Sequence, residues 1–457
     1  MKTLLRGGMV VSGQGTQRAD VLVEGERILA LGPELSPAEA TVVDCAGKLL
    51  FPGFIDGHTH FDLPVAGTVT ADDFATGSRA ALRGGTTTVI DYAAPDKGDT
   101  LAWGLDAWRR RAEGRCACDY GFHMTIDDWN AGISREIGDM LAAGIPTFKM
   151  YMTYPAMMIP EGDMYEALVR LKAVGGIAGV HCENHGVIDA LIRRAKAEGR
   201  LSPASHPRTR PAPLEAEAVA HLLRLAQVAD TPVIVVHLST REALEEVRAA
   251  RRRGQTVYVE TCPQYLTLTD QVYDDPDYLS AAKYICAPPI RKAEDQEALW
   301  AALAAGEIQT VATDHCSFTL QQKLAGREDF TKIPGGLPGV EHRGVLLYTA
   351  GVAAGRITAG DMCRVLSENP AKLYGLWPRK GAIAPGSDAD IVVLDPAAEG
   401  VITAADQLQN VDYTPYEGFP LRCRIDRVYL RGGLAVENGT VLAGPEGQFL
   451  QRGKCCL

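Results

Sequence analysis

The chain has 457 residues, 46% of them hydrophobic and 23% charged, with a formal net charge of -11. That length buries one large core and a smaller one. The acidic balance argues against a nucleic-acid partner, which needs a basic footprint, and no apolar run approaches the roughly 20 residues of a membrane span. At the N-terminus Arg6 interrupts Met1-Lys2-Thr3-Leu4-Leu5 before a signal-like apolar core forms, so the expected location is the cytoplasm. The 11 cysteines are scattered, several in apolar runs (Cys182, Cys262, Cys286), as reduced buried thiols are.

In chain order, the first fifty residues read as short strands: Leu4–Val11, Asp20–Val23, Arg27–Leu31, Thr41–Asp44 and Leu49–Phe51. Ile383–Asp395 and Asp426–Leu442 are strand-like again, with a hairpin turn expected at Asn438-Gly439. The run Leu4–Val11 is echoed by Tyr429–Val436, which predicts that the two ends pair in one small β domain. Between them strands alternate with helices. The strands are Phe54–His60, Thr86–Tyr92, Asp119–Thr125, Thr147–Met152, Ile177–Glu183, Val233–Leu238, Thr256–Thr261 and Thr310–His315. Helical patterns include Asp73–Arg83, Asp163–Val174, Leu214–Gln227, Arg241–Arg253 and Ala293–Ala305. Eight such alternations predict an α/β fold, a (β/α)8 TIM-like barrel. An open doubly wound sheet is the alternative, and it lacks its Gly-rich phosphate fingerprint after the first strand.

In such a barrel the chemistry lies where the strands end. His58 and His60 are spaced to point the same way from an extended strand. A His-x-His pair arises by chance in many proteins, but the other ends add Lys149, His181, His237 and Asp314. Imidazoles and a carboxylate at analogous ends are the ligands of a divalent metal. His315 follows Asp314 and, by strand alternation, points away. Lys149 sits in an apolar strand, where burial favours the neutral amine. A neutral amine adds carbon dioxide to become a carbamate, an anionic ligand with two arms that suits a pair of metals about 3.5–4 Å apart. An ordinary salt bridge to Lys149 is the competing expectation.

The motifs Phe51–His60 (FPGFIDGHTH), Thr147-Phe148-Lys149, His181–Asn184 (HCEN), Val236–Ser239 (VHLS), Glu260–Leu266 (ETCPQYL), Thr313–Cys316 (TDHC) and Gly381–Asp390 (GAIAPGSDAD) span nearly the whole chain. They resemble the amidohydrolase superfamily, in its cyclic amidohydrolase branch of dihydropyrimidinases and hydantoinases of the phenylhydantoinase type. The resemblance implies a catalytic barrel over residues 53–375. It also implies a small β-sandwich domain of residues 1–52 plus 376–457, with a C-terminal tail. It further implies two divalent metal ions, zinc in this branch. His58, His60 and Asp314 would hold the more buried ion and His181 and His237 the more exposed one. Lys149, as N6-carboxylysine, would bridge them. The implied reaction is zinc-dependent hydrolysis of a cyclic amide, a 5-substituted hydantoin or dihydropyrimidine, to the N-carbamoyl amino acid. A metal-bridging hydroxide would attack, with Asp314 as general base and then general acid. Tyr154 would donate to the carbonyl oxygen as charge develops. Main-chain groups at Ala287 and Gly335 would bind the diamide, although the branch usually has serine and asparagine there.

The substituent pocket is expected between the loops 61–70 and 151–162, with Leu63, Val65, Tyr151, Met152, Met157 and Met158 making it apolar. No arginine stands out as a clamp for a substrate carboxylate, which disfavours dihydroorotate. The partner is then a small cyclic diamide, with no nucleic acid and no membrane, and the resemblance implies a homotetramer. Two other readings are an allantoinase-like hydrolase and a noncatalytic dihydropyrimidinase-related scaffold. The second is opposed by the presence of all six expected metal-site residues.

Overall fold

Eight almost wholly buried strands pair in parallel in chain order: Phe54–Thr59, Thr86–Ala93, Asp119–Thr125, Thr147–Tyr151, Ile177–His181, Val233–Val235, Val257–Thr261 and Thr310–Val311. They belong to a computed structural model that describes residues 2–36 and 39–457; Met1, which opens the expected amino-terminal segment, lies outside the described residues. The ring closes where Thr59 bridges His315. There His60 N donates to His315 O at 2.8 Å and His315 N to His58 O at 3.3 Å. The strands read as continuous apolar runs because helices cover their outer face and the core their inner one. This is the α/β barrel that the alternation predicts.

The helices start and bury as their sequences dictate. Phe74–Arg83 opens on Asp73, whose carboxylate accepts from Ala75 N and Thr76 N while the Thr76 hydroxyl accepts from Asp73 N. Arg241–Arg252 turns Ala243, Leu244, Val247 and Ala250 to the core, one stripe at helical spacing. Leu101–Ala112, Ala131–Ala142 and His185–Ala197 complete the alternation at places where the sequence reading named no helix.

A second, nine-stranded sheet draws on both ends of the chain. Its order runs Thr440–Val441, Gly433–Glu437, Arg424–Leu430, Ile391–Asp395, Leu49–Pro52, Lys2–Ser12, Gly15–Glu24 and Arg27–Gly32, with Thr41–Asp44 added beside Lys2–Ser12. The echoed runs share this sheet but do not pair: Leu49–Pro52 and Ile391–Asp395 stand between them. Their local structures also differ. Leu4–Val11 is one strand bulged between Leu5 and Gly8, whereas Tyr429–Val436 folds into a hairpin at Arg431 and Gly432, both at positive φ. Asn438 (φ 49°) and Gly439 (φ 78°) make the expected hairpin turn. The strand expected over Ile383–Asp395 begins only at Ile391. Before it, Asp388 and Asp390 turn to the buried Lys380, at 3.1 and 2.6 Å, and Asp119 meets the same amine at 2.6 Å. That acidic cluster holds a lysine.

The tail returns to the amino-terminal end of the barrel. Leu450 N donates to Tyr120 O at 2.8 Å, Arg452 N to Gly144 O at 3.1 Å and Gly453 N to Gly375 O at 2.8 Å. Leu450 and Tyr374 pack with Ile55, Ile90, Ile177 and Ile234 into one apolar plug. All 11 cysteines are free, and Cys455 and Cys456 alone escape burial.

Gly375 is the tightest point of this seal. It has φ 74°, and a Cβ there would stand 1.8 Å from Gly453 O. Gly375→Ala is expected to cost about 2 kcal/mol or more through strain and displacement of the tail, read as a lower urea midpoint. An unchanged midpoint would show that the tail does not constrain the barrel.

Candidate active site at the carboxyl ends of the barrel strands

A cavity of about 400 Å³ opens at the carboxyl ends of the strands, and its wall includes His58, His60, Lys149, Tyr154, His181, His237, Ala287, Asp314 and Gly335 together. Three of these are non-glycine residues in the left-handed region: Tyr154 (φ 69°), His237 (φ 39°) and Asp314 (φ 52°). That is why the sixth and eighth strands stop at Val235 and Val311, short of the expected Leu238 and His315. The backbone leaves extended geometry as it delivers these side chains, at a cost of about 1–3 kcal/mol each.

His58 is gripped from both sides. Its Nδ1 lies 2.7 Å from Glu260 Oε1 and its Nε2 lies 3.1 Å from Asp314 Oδ1, where it makes no hydrogen bond. His60 Nε2 meets the same Asp314 oxygen at 3.1 Å, and its Nδ1 is unpartnered. If Nδ1 of His58 donates to Glu260, then Nε2 turns a lone pair toward a carboxylate oxygen, and two acceptors face each other unless a cation stands between. Burial opposes charge on His58, yet Glu260 and Asp314 together raise its pKa, so the pocket is short of positive charge. Burial also opposes the charged form of Asp314, but His58, His60 and His237 outweigh it and hold that carboxyl well below its usual range. Burial pulls His60 down to about 4 and lowers His181 and His237 as well. Neutral imidazoles beside an ionised carboxylate are what a divalent metal requires.

The remaining imidazoles complete the cluster. The rings of His181 and His237 are 4.5 Å apart and those of His58 and His237 5.5 Å apart. His181 Nε2 pairs with Glu183 Oε2 at 2.8 Å, and the buried His237 Nδ1 has no partner. Buried nitrogens without hydrogen-bond partners are rare in folded proteins. Several in one cavity fit a bound metal.

Lys149 is buried beside them, its Nζ 5.0 Å from the ring centres of both Tyr92 and Tyr151. Among the described residues no carboxylate forms a salt bridge with it, so the competing salt-bridge expectation does not describe this lysine. Burial lowers its pKa to about 8, against the pull of Asp314 and Glu260.

Several residues outside the expected ligand set support it. Glu260 accepts from His237 N at 3.2 Å besides meeting His58. A carboxylate ending the seventh apolar strand was the signal for it. Asp56 accepts from His58 N, Thr313 N and the Thr313 hydroxyl, coupling the backbone beside His58 to that beside Asp314. Arg210 was missed because it lies in a helical connection, outside every strand end. It lines the cavity, but its guanidinium is paired with Glu183 at 2.5 Å and lies 5.5 Å from the Tyr154 ring, so its charge is already spent within the protein. His315 does point away: its Nε2 meets Asp72 at 3.0 Å and its Nδ1 accepts from Gly339 N and Val340 N.

Of the apolar residues expected around a substituent, Leu63, Val65, Tyr151 and Met157 line the cavity. Met152 packs on the main core instead, and Met158 is not part of the wall. The facing wall is Ile192, Ile285, Phe330 and Ile333, which sequence distance concealed.

A closed parallel barrel that collects imidazoles, a carboxylate and a buried amine at one end of its strands defines a class: barrel enzymes whose chemistry sits at the strand ends. Residues 49–435 match the amidohydrolase family. The chain is 45% identical over 438 residues to a D-hydantoinase of Streptomyces coelicolor, covering 94% of this chain and 93% of that protein. It is 40% identical over 457 residues to a D-phenylhydantoinase of Escherichia coli, covering 99% and 98%. The crystal structure of dihydropyrimidinase from Brevibacillus agri is similar with a TM-score of 0.98 at 40% identity, covering 99% of each chain. The chain belongs to the amidohydrolase family, whose members depend on metal.

Breaking one partner of a buried ion pair leaves the other charge stranded. Arg210→Met is therefore expected to destabilise the fold by about 3 kcal/mol through Glu183, and chemical denaturation checks it. Restoring stability with Glu183→Gln in the same chain would confirm the cause.

Proposed function

We propose that the protein hydrolyses the ring amide of 5-substituted hydantoins or dihydropyrimidines to the N-carbamoyl amino acid. It is a cyclic amidohydrolase enzyme, and the ring, the product and the roles below are our reading. The observation that carries it is the gathering of unpartnered buried nitrogens and an amine without a carboxylate partner around Asp314, in the wall of one cavity.

In this reading His58, His60, Asp314, His181, His237 and a carboxylated Lys149 would hold two divalent ions, zinc by the resemblance. When bound, such ions supply a water of lowered pKa and Lewis acidity toward an amide carbonyl. The rest belongs to the chain. Asp314 takes the proton released as water adds to the carbonyl carbon, and returns it to the ring nitrogen as the C–N bond breaks. Tyr154, whose burial pushes its hydroxyl pKa up and keeps it protonated, donates to the carbonyl oxygen as negative charge develops there. Main-chain groups at Ala287 and Gly335 hold the diamide. A Cβ on Gly335 would meet no heavy atom within 4 Å, so the missing side chain leaves room in the site. Glu260 and Glu183 orient His58 and His181.

Leu63, Val65, Tyr151 and Met157 receive the ring substituent, and relatives named D-hydantoinase and D-phenylhydantoinase favour D-5-substituted rings, aryl ones included. We read residues 53–375 as the catalytic domain and residues 1–52 plus 376–457 as the β domain, supported by the nine-stranded sheet that takes strands from both ends. The protein is, in this reading, a cytoplasmic homotetramer. Among the described residues no helix is long and apolar enough to cross a membrane.

A panel of hydantoins and dihydropyrimidines with chiral product analysis tests the reaction, and turnover of none of them by metal-loaded enzyme would sink it. Lys149→Ala is expected to lose bound metal and about 10³-fold or more in activity, with partial recovery on adding short carboxylic acids; full activity without them would exclude the carbamate. Met157→Ala is expected to lower aryl relative to unsubstituted turnover by about tenfold, measured as the ratio of kcat/KM values.

A further inference from the structure

The two loops that would hold the diamide are tied to one buried amine that the reaction does not use. Lys323 ends a short helix, Leu320–Lys323, and its side chain is fully buried. Its Nζ donates to Ile285 O at 3.2 Å, Pro334 O at 2.7 Å and Gly336 O at 2.9 Å. A lysine ammonium has three donors and no acceptor, so these carbonyls use all of them. Among the described residues no carboxylate pairs with it.

The places of these carbonyls are informative. Pro334 and Gly336 flank Gly335, and Ile285 lies two residues before Ala287. Gly336 N also donates to Ile285 O at 2.9 Å, so one carbonyl joins both loops to the same amine. Gly336 has φ 150°, and a Cβ there would come 2.3 Å from Cys316 O, so this loop lies directly on the backbone that follows Asp314. The Tyr278 hydroxyl donates to Lys323 O at 2.7 Å, which fixes the base of the side chain from the other direction. Burying this charge with neutral acceptors alone costs stability. An apolar side chain would fill the volume without the charge, but it could not fix the separation of two irregular loops.

We propose that Lys323 is a positioning residue for ring recognition: by holding the carbonyls of Ile285, Pro334 and Gly336 on one ammonium, it sets the spacing between the Ala287 and Gly335 backbones that receive the cyclic diamide. This rests on the function proposed above. It assigns Lys323 no contact with substrate or with the residues around Asp314, so its loss should act on ring binding and spare bond breaking.

Lys323→Met keeps an unbranched apolar stem, one bond shorter, and removes the donors. In the folded holoenzyme it is expected to raise KM for a cyclic diamide by about tenfold or more while kcat changes by less than about threefold. Metal content should equal that of the wild type, and hydrogen exchange over 285–287 and 334–336 should accelerate. Lys323→Gln, one bond shorter with two donors, is expected to fall between the two proteins and decides the matter if the Met variant does not fold. A KM within about twofold of wild type in either folded variant overturns the role of Lys323. A wild-type holoenzyme that opens no cyclic diamide overturns the reading beneath it instead.

Discussion

The constraint on which the site depends is an amine that the barrel buries without giving it a carboxylate. Burial of Lys149 between the faces of Tyr92 and Tyr151 favours its neutral form. The same exclusion of water keeps His60, His181 and His237 neutral. With those imidazoles neutral, Asp314, held ionised, leaves the pocket wanting a cation. The early strand ends, the left-handed turns at His237 and Asp314, and the carboxylates behind His58 and His181 all serve that local balance of charge.

Three buried lysines show how far the surroundings decide what one side chain does. Burial disfavours the charge on Lys380, but Asp390, Asp119 and Asp388 more than reverse that and raise its pKa. Lys323 has carbonyls instead, and burial draws it down to about 7. Lys149 has aromatic faces and stands near 8. The first is an electrostatic rivet between the barrel and the terminal sheet, the second a spacer between loops, and the third an amine set against aromatic faces in the wall of the cavity.

Much of this was legible in the sequence because periodicity and strand-end chemistry are local. The apolar runs located all eight barrel strands to within a few residues, and the histidines, Lys149 and Asp314 stood out as polar residues where such runs end. What was not legible depended on distance. The pairing of Arg210 with Glu183 crosses a helical connection, and Lys323 joins loops separated by almost fifty residues of chain. Met152 and Met158 look equivalent to Met157 in sequence, and only the course of the loop separates the one that faces the cavity. The resemblance of Leu4–Val11 to Tyr429–Val436 conveyed shared sheet membership but not register, because a glycine pair serves equally in a bulge and in a hairpin turn.

The tail that crosses the far end of the barrel bears on how molecules come and go. Leu450, Tyr374 and Arg452 plug the amino-terminal mouth, with Arg452 bonded to the carbonyls of Tyr374 and Phe122. Among the described residues the tail covers that end, and the cavity opens at the carboxyl ends of the strands. A molecule that enters at the carboxyl ends then leaves by the same way, so what goes in and what comes out share one path.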